Sequence, residues 1–239
     1  MKYLLQLHKV IAVALMMLLF AGKISAQQKN KVLENSSALP TVWQLKLIDY
    51  LNLMDRPKPV ITGGCVSLTE AALSANLLLM ALQVSGGHAT GSSKITIDSL
   101  IALAAEKRDS LSMLADTDNN IFQQFIEVGH LPHQSPAQQR FKDSSMHALL
   151  LKATNSPINS AKQVLSVFEL FRPAEKVTAQ VVFSDVKSAE NLLNGCFQAL
   201  VILAKDDIGQ LPSRERAAFQ MEVDHMTAKE KTIFAALNP

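Results

Sequence analysis

The chain is poor in the residues that small stapled or β-rich folds depend on. It has two cysteines in 239 residues, Cys65 and Cys196. Two thiols cannot build a disulfide framework, and pairing them would need Cα atoms within roughly 7 Å. Glycine is sparse at nine residues and aromatic content is 5%, while Ala, Leu, Gln, Glu and Lys abound, a composition that favours helices. No strand-period segment of any length occurs; "VTAQVVF" (177–183) is the one short candidate. Phosphate-loop and nucleophile-elbow patterns are missing as well.

Basic runs are absent too, and the N-terminus explains part of the charge. "MKYLLQLHK" supplies Lys2 and Lys9, "VIAVALMMLLF" is apolar, and "AGKISA" ends in small residues. This reads as a signal peptide over 1–26, cut after Ala26, on the way to the periplasm or the medium. An uncleaved anchor is the alternative; a lipoprotein is not expected, because no cysteine lies near the cut. Removing Lys2, Lys9 and Lys23 takes the formal charge from +2 to −1. That excludes a phosphate-neutralising stripe, hence nucleic acid, and any basic patch for a membrane surface.

What remains, about 213 residues, suffices for one domain with a full core. A polar lead-in (27–40) precedes a domain spanning 41–239. "TVWQLKLIDYLNLM" places Val42, Leu45, Ile48 and Leu51 on one helical stripe, with Thr41 as N-cap. Pro57 and Pro59 stop it. Ser67 and Glu70 read as a capping box for the next helix, which could also begin closer to Gly64. From Leu68 to Val84 that helix is apolar nearly all round, as a central bundle helix would be. "GGHATGSSK" predicts a loop, followed by a helix over 97–131. Ser135, Pro136 and Gln138 start another, reaching Asn155. Ser156 and Pro157 repeat the start signal for a helix through Phe171, which Pro173 ends. Two more helices begin near Ser184 and Ser213. The expectation is an all-α bundle of about six to seven helices around a buried Ala/Leu-rich central helix.

Four motifs then occur in order. "PKPVITGGCVSLTEAALSANLLLMAL" joins a glycine doublet to an Ala-rich helix. "DNNIFQQFIEVGHLP" supplies Asp118, Phe122, Leu131 and Pro132. Ala153 stands four residues ahead of Pro157, and "SDVKSAENLLNGCFQAL" gives Ser184, Asp185, Ala189 and Gly195. In this the chain resembles the cyclodeaminase/cyclohydrolase family, from about Trp43 to Leu211. It departs from the family pattern at Thr62, where a third glycine is usual, at Cys65 in place of serine, and by a "VI" insertion after Pro59.

The resemblance implies a helical bundle, usually a homodimer, acting on a one-carbon unit carried by a tetrahydrofolate derivative; the residues themselves lead to the expectation of no metal. Ring closure with loss of ammonia and hydrolysis of the methenyl ring both pass through a cationic amidinium-like carbon. A carboxylate beside that carbon can stabilise it and move protons. Asp185 and Asp118 are the candidates, and His130 is a candidate proton shuttle. Gly63, Gly64, Cys65 and Ser184 are candidate ligand-binding positions, the glycines through bare backbone N–H groups. Each has a plainer reading. Asp185 could cap its helix, Asp118 could belong to a solvated patch, and the glycines could form only a turn. Cys65 could be a small buried hydrophobe, and His130 a surface residue beside a loop. His130 and His133 lack the geometry and further ligands of a metal site. The expectation to test is that Gly63–Cys65 and Asp185 face one hollow. A binding module for a small heteroaromatic ligand and a purely structural bundle are the competing functional readings.

Overall fold

The computed structural model describes residues 41–57 and 60–238. Its α-helices are α1 (Leu47–Met54), α2 (Gly63–Gly86), α3 (Gly91–Gly129), α4 (Pro136–Glu175), α5 (Phe183–Gln210) and α6 (Ser213–Leu237). Short 3₁₀ turns at Val42–Gln44 and Gln180–Val182 precede α1 and α5. The bundle is all-α, and among the described residues no strand forms. The expected signal peptide and the lead-in fall outside the described residues.

Helices α2 to α5 form a ring of four neighbours, α2 on α3, α3 on α4, α4 on α5, α5 back on α2, and α6 lies across α4 and α5. Contacts fix the directions. Gly64 faces Asp118 while Gly86 faces Ile97, so α3 runs against α2. Ser74 Oγ donates to the Ala189 carbonyl at 2.7 Å and Gly63 faces Leu203, so α5 runs against α2 as well. The inner faces bury Leu68, Leu78 and Leu82 of α2 against Phe168, Phe171 and Phe197. Each such side chain contributes about 1.5–3 kcal/mol when taken out of water. Phe168 also meets Phe234 of α6 edge-on at 6.3 Å, tying the last helix to the core.

Helix α2 is long and apolar enough to cross a bilayer, yet its inward side is buried among its neighbours. Its outer side carries Val66, Glu70, Leu73, Leu77, Met80 and Val84, all partly or fully exposed. These alternate at spacings of four and three, the repeat of a helix seam that packs on another helix.

Several predicted boundaries move. Thr41 caps nothing; its hydroxyl donates to Asp116 Oδ2 at 2.5 Å, and α1 starts only at Leu47. Thr62, not Ser67, is the N-cap of α2, and Ser67 Oγ donates back to the Gly63 carbonyl inside the first turn. The capping box of Ser135 and Gln138 forms as read. Ser156–Pro157 does not restart a helix: α4 runs through Pro157, which costs one N–H but sits buried in the stripe that packs α4. The expected loop after α2 is cut short because Gly91 adopts φ +58°, which lets α3 begin there.

Candidate functional site

The start of α2 is built around one carboxylate. Thr62 Oγ1 accepts the N–H of Cys65 at 2.9 Å, the usual N-cap bond. The same hydroxyl donates to Asp118 Oδ2 at 2.6 Å. Ser156 Oγ of α4 donates to Asp118 Oδ1 at 2.9 Å. Asp118 thus joins α2, α3 and α4 through both of its oxygens, one turn from the positive end of α2. Gly64 is what allows the approach. A Cβ there would stand 2.7 Å from Asp118 Cγ and 2.8 Å from Oδ1, closer than atoms can pack. Gly63 is under no such constraint, since its nearest neighbour would be Leu203 at 3.8 Å.

A second layer holds the same end of the bundle. Asp116 accepts from Thr41 Oγ1 and from the Val42 N–H at 2.9 Å, anchoring the chain ahead of α1. Tyr50 donates to Thr69 at 3.2 Å. Cys65 is wholly buried beside them, and burial pushes its thiol up to about 11. Its thiol is therefore neutral and shut away from solvent, so a ligand-binding or nucleophilic side chain at Cys65 is corrected to core packing.

Asp207, absent from the predicted set, belongs here too. It lies one turn beyond Leu203 on α5, past the first residue of α2. Burial, aided by the charges of Asp206 and Asp118, pushes its carboxyl up to about 6. The "DD" doublet after an apolar helix was the only signal in the sequence, and alone it says nothing.

Between α3 and α4 a cleft of about 290 Å³ opens, lined by Leu114, Ile121, Leu151, Lys152, Asn155 and Ser156 among others. Ser156 is the shared wall: it lines the cleft and bonds Asp118 behind it. An apolar floor with a hydroxyl backed by a carboxylate can bind a flat ring and stabilise positive charge.

Within one chain the expected common hollow does not form. Asp185 is half-buried in the first turn of α5 and Ser184 is exposed. Counting from the Ser74–Ala189 bond, Gly64 lies ten residues one way and Asp185 four the other, roughly 21 Å apart along the axis. The antiparallel course of α2 and α5 is the cause. His130 caps the far end of α3 and is exposed, twelve residues or about 18 Å from Asp118. Among the described residues no cluster of three His, Cys, Asp or Glu side chains could hold a metal ion.

An antiparallel helical ring with a glycine-bordered carboxylate at one helix start defines the class. A family model described as formiminotransferase-cyclodeaminase matches residues 46–220, and the chain belongs to that family. Among solved structures, formiminotetrahydrofolate cyclodeaminase from Thermotoga maritima is similar at 16% identity with a TM-score of 0.69. That match covers 81% of this chain and 94% of the other, and shows the shared fold. No curated protein matches.

Proposed function

We propose that the chain acts on a folate-type one-carbon adduct, closing a formimino group to the methenyl ring with release of ammonia or hydrolysing the methenyl ring. The single observation that carries this reading is Asp118, held by Thr62 and Ser156 against Gly64 and one hydrogen bond behind the cleft wall. Two hydroxyl donors hold that carboxylate in place, suited to stabilising an amidinium-like carbon. Family membership supplies the substrate class. The protein is exported to the periplasm or medium and works without a metal. Spectroscopic turnover of methenyltetrahydrofolate tests the reading. Asp118→Asn should lower the rate by about 10²–10⁴-fold, and no turnover by the wild type would remove it.

The active unit is a homodimer paired along the outer stripe of α2, whose Leu73 and Met80 are exposed. In an antiparallel pairing centred on that stripe, one copy's Asp185 stands about 12 Å along the axis from the other copy's Gly64. Ser184 and Asp185 would then serve the site across the dimer. Leu73→Glu with Met80→Glu should yield a monomer by light scattering. A second reading, a ligand-binding protein without turnover, is favoured by one fact: both Asp118 oxygens already have donors within the chain.

A further inference from the structure

The seam between α4 and α6 is laced by ion pairs that stop before its end. Lys162 meets Glu222 at 2.5 Å and Lys229 meets Glu169 at 2.7 Å. Both helices advance seven residues between these rungs, so they run parallel. The next step reaches Lys176 on α4 and Ala236 on α6, and no third rung forms. There a second cleft opens, of about 260 Å³, lined by Phe168 and Arg172 of α4 and by Thr232, Ile233 and Leu237 of α6, among others. Arg172 is exposed and has no ion-pair partner among the described residues. Glu169 and Glu175 on the same helix are already held by Lys229 and Lys187. The floor is apolar: Phe168 and Leu237 are buried, and Ile233 is half-buried. Arg172 stands sixteen residues from Ser156 on α4, about 24 Å along the axis. The α6 wall lies past residue 220, where the family match ends. This cleft is separate from the site at Asp118.

We infer that this cleft takes a short alkyl carboxylate, its anion on the Arg172 guanidinium and its chain along Phe168, Ile233 and Leu237. A guanidinium offers two parallel N–H donors to a carboxylate, and the external anion supplies the missing third rung. The α6 wall from Thr232 to Leu237 rises about 7.5 Å, a length that a six-carbon chain matches. The lining follows the seam over that length, so an extended chain keeps contact with all three apolar side chains. The volume falls just under the usual range for drug-sized ligands, which suits one chain of this size.

The test is titration of the full folded chain with hexanoate, hexanamide and butyrate, read by calorimetry and by amide resonances. Hexanoate should bind about tenfold more tightly than hexanamide, shift the resonances of Ile233 and Ala236, and weaken with added salt. Butyrate, with a shorter chain, should bind about tenfold more weakly than hexanoate. Arg172→Met, at an exposed position, should keep the melting temperature and abolish the preference for the anion. Ala236→Leu should fill the cleft and weaken hexanoate and hexanamide alike. Equal binding of hexanoate and hexanamide overturns the inference, as does a preference that survives Arg172→Met. Equal binding of butyrate and hexanoate, or shifts confined to residues outside the cleft, overturns it as well. Should Arg172→Met fail to fold, Ala236→Leu decides, since undiminished hexanoate binding in that variant places the ligand elsewhere.

Discussion

The two ends of the α2–α5 pair handle their carboxylates in opposite ways. At the Gly63 end, Asp118 is satisfied by neutral hydroxyls from two other segments and has no counter-ion among the described residues. At the Asp185 end, Lys187 bonds Glu175, reaches Glu190 at 3.0 Å, and donates to the Leu237 carbonyl at 2.7 Å. That cluster ties the ends of α4 and α6 to the start of α5. Its charge is cancelled within the structure, whereas the charge on Asp118 is left to act on whatever occupies the neighbouring cleft. One cluster links three helix ends through a shared cation, whereas the other carboxylate meets only neutral donors.

The largest effect expected from this contrast is at Gly64. Gly64→Ala drives a methyl into Asp118, so either both hydroxyl bonds break or the first turn of α2 shifts. Hydrogen bonds to a charged group contribute about 1.5–3 kcal/mol each and overpacking costs about 1–3. A loss of about 3 kcal/mol or more should lower Tm by about 6–12 °C. Gly63→Ala meets only Leu203 and should stay within about 1 kcal/mol of wild type. Equal melting temperatures for the two variants would mean that Asp118 does not pack on Gly64.

Next in size is a test of whether the two ends cooperate across a dimer. Asp118→Asn and Asp185→Asn should each lose turnover of methenyltetrahydrofolate, though Asp185→Asn costs only about 0.3–1 kcal/mol as a first-turn acid. Co-refolding them in equal amounts makes half the dimers mixed, and each mixed dimer has one intact site. About a quarter of wild-type activity should return. An inactive mixture would mean that Asp118 and Asp185 do not serve one site across a dimer.

How much of this was legible in the sequence follows the range of each interaction. The capping box of Ser135 and Gln138 is local and reads correctly, and so does the apolar run that becomes α2. Thr62 was passed over because Ser67 and Glu70 imitate a cap three residues apart, while the true cap is settled by a bond to Asp118, 56 positions away. Ser156 read as a helix start for the same reason: its hydroxyl is spent on α3, not on its own helix. Asp118 and Asp185 looked equivalent because motif order does not report helix direction. Only the antiparallel registers separate them.

A smaller effect should appear at the Lys187 cluster as pH changes. Burial raises the Glu190 carboxyl to about 7, with Lys187 opposing and the charge of Glu175 adding to the rise. The folded state therefore holds a proton that the unfolded chain gives up near 4.5. Between about pH 4.5 and 7 the folded state binds more protons, so Glu190 makes stability fall as pH rises through that window, and the cost persists above it. Glu190→Gln should raise Tm by a few degrees at pH 8 and flatten the slope between pH 5 and 7. An unchanged slope would show that Glu190 is ionised across the range.

The smallest effect is expected at the thiols. Cys65 underlies the Asp118 end and Cys196 of α5 lies near Glu70 of α2; both are unpaired and wholly buried. Burial pushes both thiols up, Cys65 to about 11 and Cys196 higher still, so at neutral pH neither forms the reactive thiolate. Reductant should leave Tm unchanged, and iodoacetamide should label neither residue until the bundle is unfolded. Fast labelling of Cys65 alone in the native protein would mean that the first turn of α2 opens while the rest of the bundle stays closed. Thr62 and Asp118 would then be part of a moving end, and the rigid placement of that carboxylate behind the cleft would have to be abandoned.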